Sequence, residues 1–218
     1  MVEHLEIDFV SDVACPWCII GLKGLQLALD RLDGDVTAEI RFQPFELNPD
    51  MSLAGQNLGE HIAQKYGSTP EQSAANRAMI KDRAADLGFA ITMDGDSRIY
   101  NTFDAHRLLH RAGEEGRQTE LKLALFEAYF THGRNVAEHA VLVSVVKQVG
   151  LDVQRAQAIL ASDAFAAEVR SQEALWQSRG INSVPAVVVN GKYLISGGQP
   201  PEAFEQALRK IASESQHL

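Results

Sequence analysis

Leu5-Glu6-Ile7-Asp8-Phe9-Val10-Ser11-Asp12-Val13-Ala14-Cys15-Pro16-Trp17-Cys18 carries the chain from one periodicity into another. Leu5, Ile7 and Phe9 alternate with Glu6 and Asp8, as in a strand with one buried face. Beyond Cys15 the apolar residues fall at helical spacing, with Leu22, Leu25, Leu29 and Leu32 on one stripe. Cys15 and Cys18 therefore stand at a strand-to-helix junction, and they are the only two cysteines among 218 residues. One helical turn brings positions i and i+3 onto the same face, near enough for a disulfide to close with little strain. The unpaired N–H groups and positive dipole end of the helix favour a thiolate on Cys15. Pro16 suits the first turn, where its missing N–H has no intrahelical partner to lose. The pattern suits thiol–disulfide exchange, with Cys15 attacking and Cys18 resolving the mixed disulfide.

A zinc centre is the rival reading of the same cysteines. His106 and His110, one helical turn apart, complete a Cys-Cys-His-His set on paper. There is no second cysteine pair, however, and the strand–helix junction is the context that exchange requires. No metal is expected.

Moving outward, Asp33-Gly34-Asp35 breaks the first helix, and Ala38, Ile40 and Phe42 form a second alternating run before Pro44 and Asn48-Pro49. From about Ser52 to Ser162 the composition turns helical, with segments expected near Gly59–Tyr66, Thr69–Leu87, Asn101–Ala112, Arg117–Thr131, Ala137–Val149 and Asp152–Ala161. Thr69-Pro70-Glu71-Gln72 reads as a capping box with Pro at the first helical position. Phe89–Met93 reads as a short extended piece. Ser162 is expected to cap a helix running to Arg179, with Phe165, Val169 and Trp176 on its inner face. Ala186–Val189 and Lys192–Ile195 flank Asn190-Gly191, a strong signal for a type I′ hairpin. Pro200-Pro201 opens a last helix that turns Phe204, Leu208 and Ile211 to the core. This order predicts an α/β domain from residues 1–50 and 162–218, interrupted by a helical insertion over residues 51–161.

Bulk properties narrow the function classes. A hydrophobic fraction of 45% supports a full core. A net charge of −9 argues against a nucleic-acid surface. No window approaches the length of a membrane span. The start, Met1-Val-Glu-His-Leu-Glu-Ile-Asp, has no basic run, long apolar stretch or small-residue cleavage site, so a cytoplasmic setting is expected. In such a setting two neighbouring cysteines serve chemistry rather than a structural staple.

The sequence resembles the DsbA-like thioredoxin superfamily, and within it the cytosolic FrnE-like dithiol–disulfide oxidoreductases. The matching words are Ser11-Asp12-Val13-Ala14-Cys15-Pro16-Trp17-Cys18 with Gly21, Phe45-Glu46-Leu47-Asn48-Pro49, Asn101-Thr102-Phe103-Asp104-Ala105-His106-Arg107, Gly180-Ile181-Asn182-Ser183-Val184-Pro185 and Gly197-Gly198-Gln199. Kappa-class glutathione transferases and hydroxychromene-carboxylate isomerases share the architecture but carry Ser at the first cysteine position. Two cysteines favour the dithiol branch. The resemblance implies a thioredoxin-like β-α-β … α-β-β-α fold with a large helical insertion. It also implies a cis Val184-Pro185 bond facing the cysteines, leaving the Val184 backbone to pair with substrate; an isolated X-Pro bond is otherwise trans by default.

Supporting roles follow around that centre. Trp17 is a lip of the substrate groove, a residue tuning the thiolate, or simply a partly buried side chain. Asp12 caps the catalytic helix or assists proton transfer, capping being preferred. His106 lines the cleft, while His110 faces solvent. Gly197-Gly198 gives either close approach to a ligand or a turn before Pro200, and Trp176 belongs to the core. No acid stands six before Cys15, where thioredoxin and DsbA carry one; Phe9 is there instead, leaving the proton acceptor for Cys18 unassigned. The expected activity is thiol–disulfide exchange or isomerisation on disulfide-containing polypeptides or small molecules. No bound cofactor is expected; glutathione or another thiol recycles the protein, with a homodimer among the open oligomeric states. The alternative is a glutathione-dependent isomerase or transferase acting on a small aromatic molecule.

Overall fold

β-Branched and aromatic residues in alternation build one four-stranded sheet in a computed structural model that describes residues 2–215. The limits of the expected segments at residue 1 and residues 216–218 lie outside the described residues. Strand β1 (Glu3–Ser11) leads through helix α1 (Pro16–Arg31) to β2 (Val36–Pro44), which lies parallel to β1. There follow β3 (Gln56–Asn57), α2 (Leu58–Tyr66), α3 (Pro70–Asp86), β4 (Arg98–Ile99), α4 (Phe103–Glu114) and α5 (Gln118–Phe126). A π-helical turn, Glu127–Thr131, extends α5; then come α6 (His139–Gln148), α7 (Val153–Leu160) and α8 (Ala166–Ser178). The chain ends with β5 (Ala186–Val189), β6 (Tyr193–Ser196) and α9 (Pro201–Ser215). The strand order is β2-β1-β5-β6, with β5 antiparallel to both its neighbours.

The alternation in β1 decides what each face meets. Leu5, Ile7 and Phe9, joined by Phe42, Val187 and Val189, share one core with Leu22 and Leu25 of α1 and Phe204, Leu208 and Ile211 of α9. Each such large apolar side chain contributes about 1.5–3 kcal/mol by leaving water. That core continues without a break into Leu108, Leu121, Leu125, Phe126 and Leu142 of the helical block. On the opposite face, Val10, Phe45, Ala186 and Val188 pack against Trp176 and Ile181. β1 is buried on both faces at its C-terminal end, where it delivers the cysteines.

Local chemistry explains most boundaries. Thr69 and Gln72 exchange side-chain and backbone hydrogen bonds in the expected capping box. Asn190 and Gly191 have φ of 52° and 64°, the two left-handed residues that a type I′ hairpin turn requires. Two expectations are corrected. Ser162 does not cap α8: its hydroxyl bonds back to Ala158 O and Ile159 O, finishing α7. Phe165 then takes a left-handed conformation (φ 62°), so α8 begins only at Ala166. The extended Phe89–Met93 segment joins no strand; the Thr92 N–H and hydroxyl instead bond the Phe130 carbonyl on the π turn.

Arg107 ties the helical block together from inside. It is buried and donates to Asp104 Oδ1 (2.8 Å), to Ala164 O (2.9 Å) and to the carbonyls of Ile159 and Ser162. Ile159 stands in the last turn of α7, and Ser162 and Ala164 stand in the joint between α7 and α8.

Candidate active site

Cys15 is the N-cap residue of α1, with extended backbone angles and no side chain capping the helix. Both cysteines are free thiols, with Cys15 nearly buried and Cys18 wholly so. The expectation that Asp12 caps this helix is corrected. Its carboxylate accepts from the Ala14 N–H (3.3 Å) and the Leu47 N–H (2.8 Å), pinning the cysteine loop to the segment after β2. His106, from α4, brings Nε2 within 3.5 Å of Asp12 Oδ1, both side chains being buried. That separation is long for a hydrogen bond but close enough for strong electrostatic coupling. Burial pushes the Asp12 carboxyl up, yet His106 and the Leu47 N–H pull it further down, so it sits below its ordinary 3.8.

The Val184-Pro185 bond is cis, and the Cys15 thiol donates to the Val184 carbonyl across 3.6 Å. Glycines bring the two loops this close. A methyl group on Gly21 would stand 3.1 Å from Pro185 Cγ, and one on Gly198 would stand 2.8 Å from the Trp17 carbonyl. Gly198 thus serves contact with the Cys-Pro-Trp-Cys turn itself. Trp17 is half-buried, with the Arg83 guanidinium 5.5 Å from its ring centre.

Three further groups complete the neighbourhood, and none was singled out from sequence. Lys122 of α5 is fully buried, and burial lowers its ammonium to about 8, against the upward pull of Cys18, Asp12 and Cys15. Cys18 moves the other way: burial, then the neighbouring Cys15, raise its thiol well above the usual 9.0, and Lys122 opposes them. Glu46 is pushed up to about 7 by burial and by Glu173, against the pull of their shared partner Arg170. At the end of α2, partial burial and then the charge of Cys15 raise the Tyr66 hydroxyl above its ordinary value. A detectable signal existed for Lys122: it lies on the apolar stripe that carries Leu125 and Phe126. Glu46 lies within the Phe45–Pro49 word, which assigns it no role, and isolated Tyr66 gave no signal.

His110 departs from expectation. It is half-buried and packs its ring 5.1 Å from that of Phe165, so the two histidines of α4 serve different neighbours. Beside Ala14 and Pro16 lies a small apolar cavity of about 70 Å³, walled by Leu58, Ile80, Met93 and Tyr129, with Arg77 and Lys81 also lining it. Tyr129 reaches this cavity from the π turn.

The model of the DSBA-like thioredoxin domain matches residues 6–209. The chain belongs to that family. A crystal structure of a probable DsbA oxidoreductase from Streptomyces coelicolor superposes with a TM-score of 0.90 at 35% identity, covering 97% of this chain and 91% of that one. The Bacillus subtilis protein YwbO, itself uncharacterised, is 25% identical over 95% of this chain and 96% of its own. A cytosolic disulfide reductase, DsbM, from Pseudomonas aeruginosa has the same fold at TM-score 0.63 and 16% identity, covering 94% and 98%. A 2-hydroxychromene-2-carboxylate isomerase shares it at TM-score 0.68 and 16% identity, covering 97% and 98%. The chain thus has the fold of a DsbA-like oxidoreductase, and among the described residues no helix is long and apolar enough to cross a membrane.

Proposed function

We propose that the protein is a cytoplasmic dithiol–disulfide oxidoreductase acting on exposed disulfides of polypeptides, with a small thiol such as glutathione returning it to the reduced form. The observation that carries this is the junction itself: two free thiols one turn apart at a helix start, the first in contact with the Val184 carbonyl. Cys15 attacks a substrate disulfide and releases one substrate thiolate, forming a mixed disulfide; Cys18 then attacks Cys15 and releases the other. Pro16 starts the helix, Trp17 and Val184-Pro185 shape the opening, and Asp12 with His106 fixes the loop from behind.

A glutathione-dependent isomerase of small aromatic molecules is the weaker reading. Pockets that enclose such ligands run to about 300–1,000 Å³, whereas the apolar cavity beside Pro16 offers about 70 Å³. A disulfide presented on a chain needs no such enclosure.

Trapping separates the two. Expressed in cells, Cys18→Ala is expected to accumulate dithiothreitol-sensitive adducts with proteins through Cys15, absent from a Cys15→Ala/Cys18→Ala double variant. Adducts with small thiols alone, together with turnover of an aromatic electrophile by the double variant, would reject the proposal.

A further inference from the structure

Pro16 and Trp17, which separate the two cysteines, both meet side chains of α3. Pro16 walls the apolar cavity of about 70 Å³ together with Leu58, Ile80 and Met93. Arg77 and Lys81, one turn apart on α3, line the same cavity and are half-buried. Next door, the exposed Arg83 holds its guanidinium 5.5 Å from the Trp17 ring centre. Three cations from one helix thus stand around the turn that carries Cys15.

No carboxylate among the described residues pairs with them. The side chains of Arg77 and Arg83 make no hydrogen bond or ion pair there, and Lys81 donates only to the Thr92 carbonyl, at 3.4 Å. Asp82, also on α3, pairs with none of the three. Asp94 feels the charge of Lys81, but its carboxylate accepts from the Asp96 N–H and from the N–H and hydroxyl of Ser97. Elsewhere on the surface Arg31, Arg41, Arg111 and Arg209 each hold a carboxylate. In a chain of net charge −9, unpaired cations gathered at one place make a local field of the opposite sign.

We propose that this face of α3 is a substrate subsite, selecting polypeptides whose disulfide-bonded cysteine is flanked by an aliphatic and then an acidic residue. The aliphatic side chain enters the cavity beside Pro16, and the carboxylate beyond it meets Arg77, Lys81 and Arg83. The proposal rests on the dithiol reading above and adds the class of polypeptide that Cys15 receives. A cavity of about 70 Å³ suits one side chain of a larger substrate, since pockets enclosing whole small molecules run to roughly 300–1,000 Å³. The planar guanidinium forks of Arg77 and Arg83 match a carboxylate, with no acid of the chain to displace first. The apolar hollow supplies contact area, and the cations supply discrimination by charge.

Peptides whose single cysteine is disulfide-linked to nitrothiobenzoate test this: Glu-Leu-Cys-Leu-Glu, Lys-Leu-Cys-Leu-Lys and Glu-Gly-Cys-Gly-Glu. Attack by Cys15 on the peptide sulfur joins the peptide to Cys15 and releases the coloured nitrothiobenzoate thiolate. Each second-order rate is divided by that peptide's rate with free dithiothreitol, which removes differences in intrinsic reactivity. At low salt the wild-type protein should take the Glu-Leu peptide at least about fivefold faster than either other, and its advantage over the lysine peptide should fall below about twofold near 0.5 M salt. The net charge of −9 by itself favours the lysine peptide, so the expected order has a local origin. Arg77→Glu/Arg83→Glu should reverse the charge preference. Ile80→Phe, which fills the cavity, should bring the leucine-over-glycine preference below about twofold. Equal rates for the acidic and lysine peptides in wild type would overturn the proposal, as would an acidic preference that survives charge reversal or leucine and glycine peptides that react alike. Should a variant fail to fold, the wild-type order and its salt dependence decide. Failure to release nitrothiobenzoate from any of the peptides would remove the dithiol reading instead, so the two failures are distinguishable.

Discussion

Cys15→Ala is expected to lose at least about a thousandfold in the reduction of insulin disulfides, the scale seen when an enzyme loses its nucleophile. Cys15 stands at the helix start with its sulfur against Val184 O, while Cys18 lies fully buried one turn further in. Cys18 therefore cannot take over the first attack. The fold should survive, because the thiol donates only one long contact, to Val184, and a net hydrogen bond is worth about 1 kcal/mol. Turbidity of precipitating insulin chains, with dithiothreitol as reductant, gives the rate, and urea unfolding checks the fold. A variant retaining more than about a tenth of wild-type activity, against the loss expected for a missing nucleophile, would place the attacking group elsewhere.

Stability should fall as pH rises from about 4.5 to about 7, and Glu46 should be the cause. Its side chain is 2% exposed, shares Arg170 with Glu173, and titrates near 7 instead of 4.5. In that window the folded state binds more protons than the unfolded state, so the slope of unfolding free energy against pH is negative. The protonated form stabilises fully below about 4.5, and that contribution is gone above about 7. The shift corresponds to at most about 3 kcal/mol, reduced because half-exposed Arg170 brings solvent to one side of the cluster. Asp12 acts with the opposite sign: its lowered value adds stability above its ordinary 3.8 that is lost on further acidification, so the two windows do not overlap. Glu46→Gln, neutral throughout, should flatten the decline. Urea midpoints at pH 5 and pH 8 measure it, and parallel curves for wild type and variant would reject this account of Glu46.

The framework of the site was readable because short-range rules governed it. Alternation in Leu5–Phe9, the Cys-Pro start of α1, the capping box at Thr69 and the Asn190-Gly191 turn each depend on residues within one turn of each other. What escaped depends on contacts distant in sequence. Asp12 looked like a helix cap, and only the arrival of Leu47 and His106 gives its carboxylate other work. Ser162 and Phe165 sit in a joint whose carbonyls are claimed by Arg107, far earlier in the chain. The two-residue β3–β4 ladder is too short to leave a periodic trace. Lys122 was visible as a charge on an apolar stripe, but surface lysines commonly lie along such edges with their heads in water. Its burial depends partly on β2, far earlier in the chain, whose Phe42 ring lies 5.9 Å from the amine.

Wild-type protein equilibrated across a series of reduced-to-oxidised glutathione ratios, quenched with an alkylating reagent and weighed intact, tests the central claim most directly. The account predicts one two-electron transition between a doubly alkylated chain and an unalkylated chain lighter by two hydrogens, with Cys15 and Cys18 joined. Independent alkylation of the two cysteines at every ratio, or glutathione adducts with no internal disulfide, would contradict it.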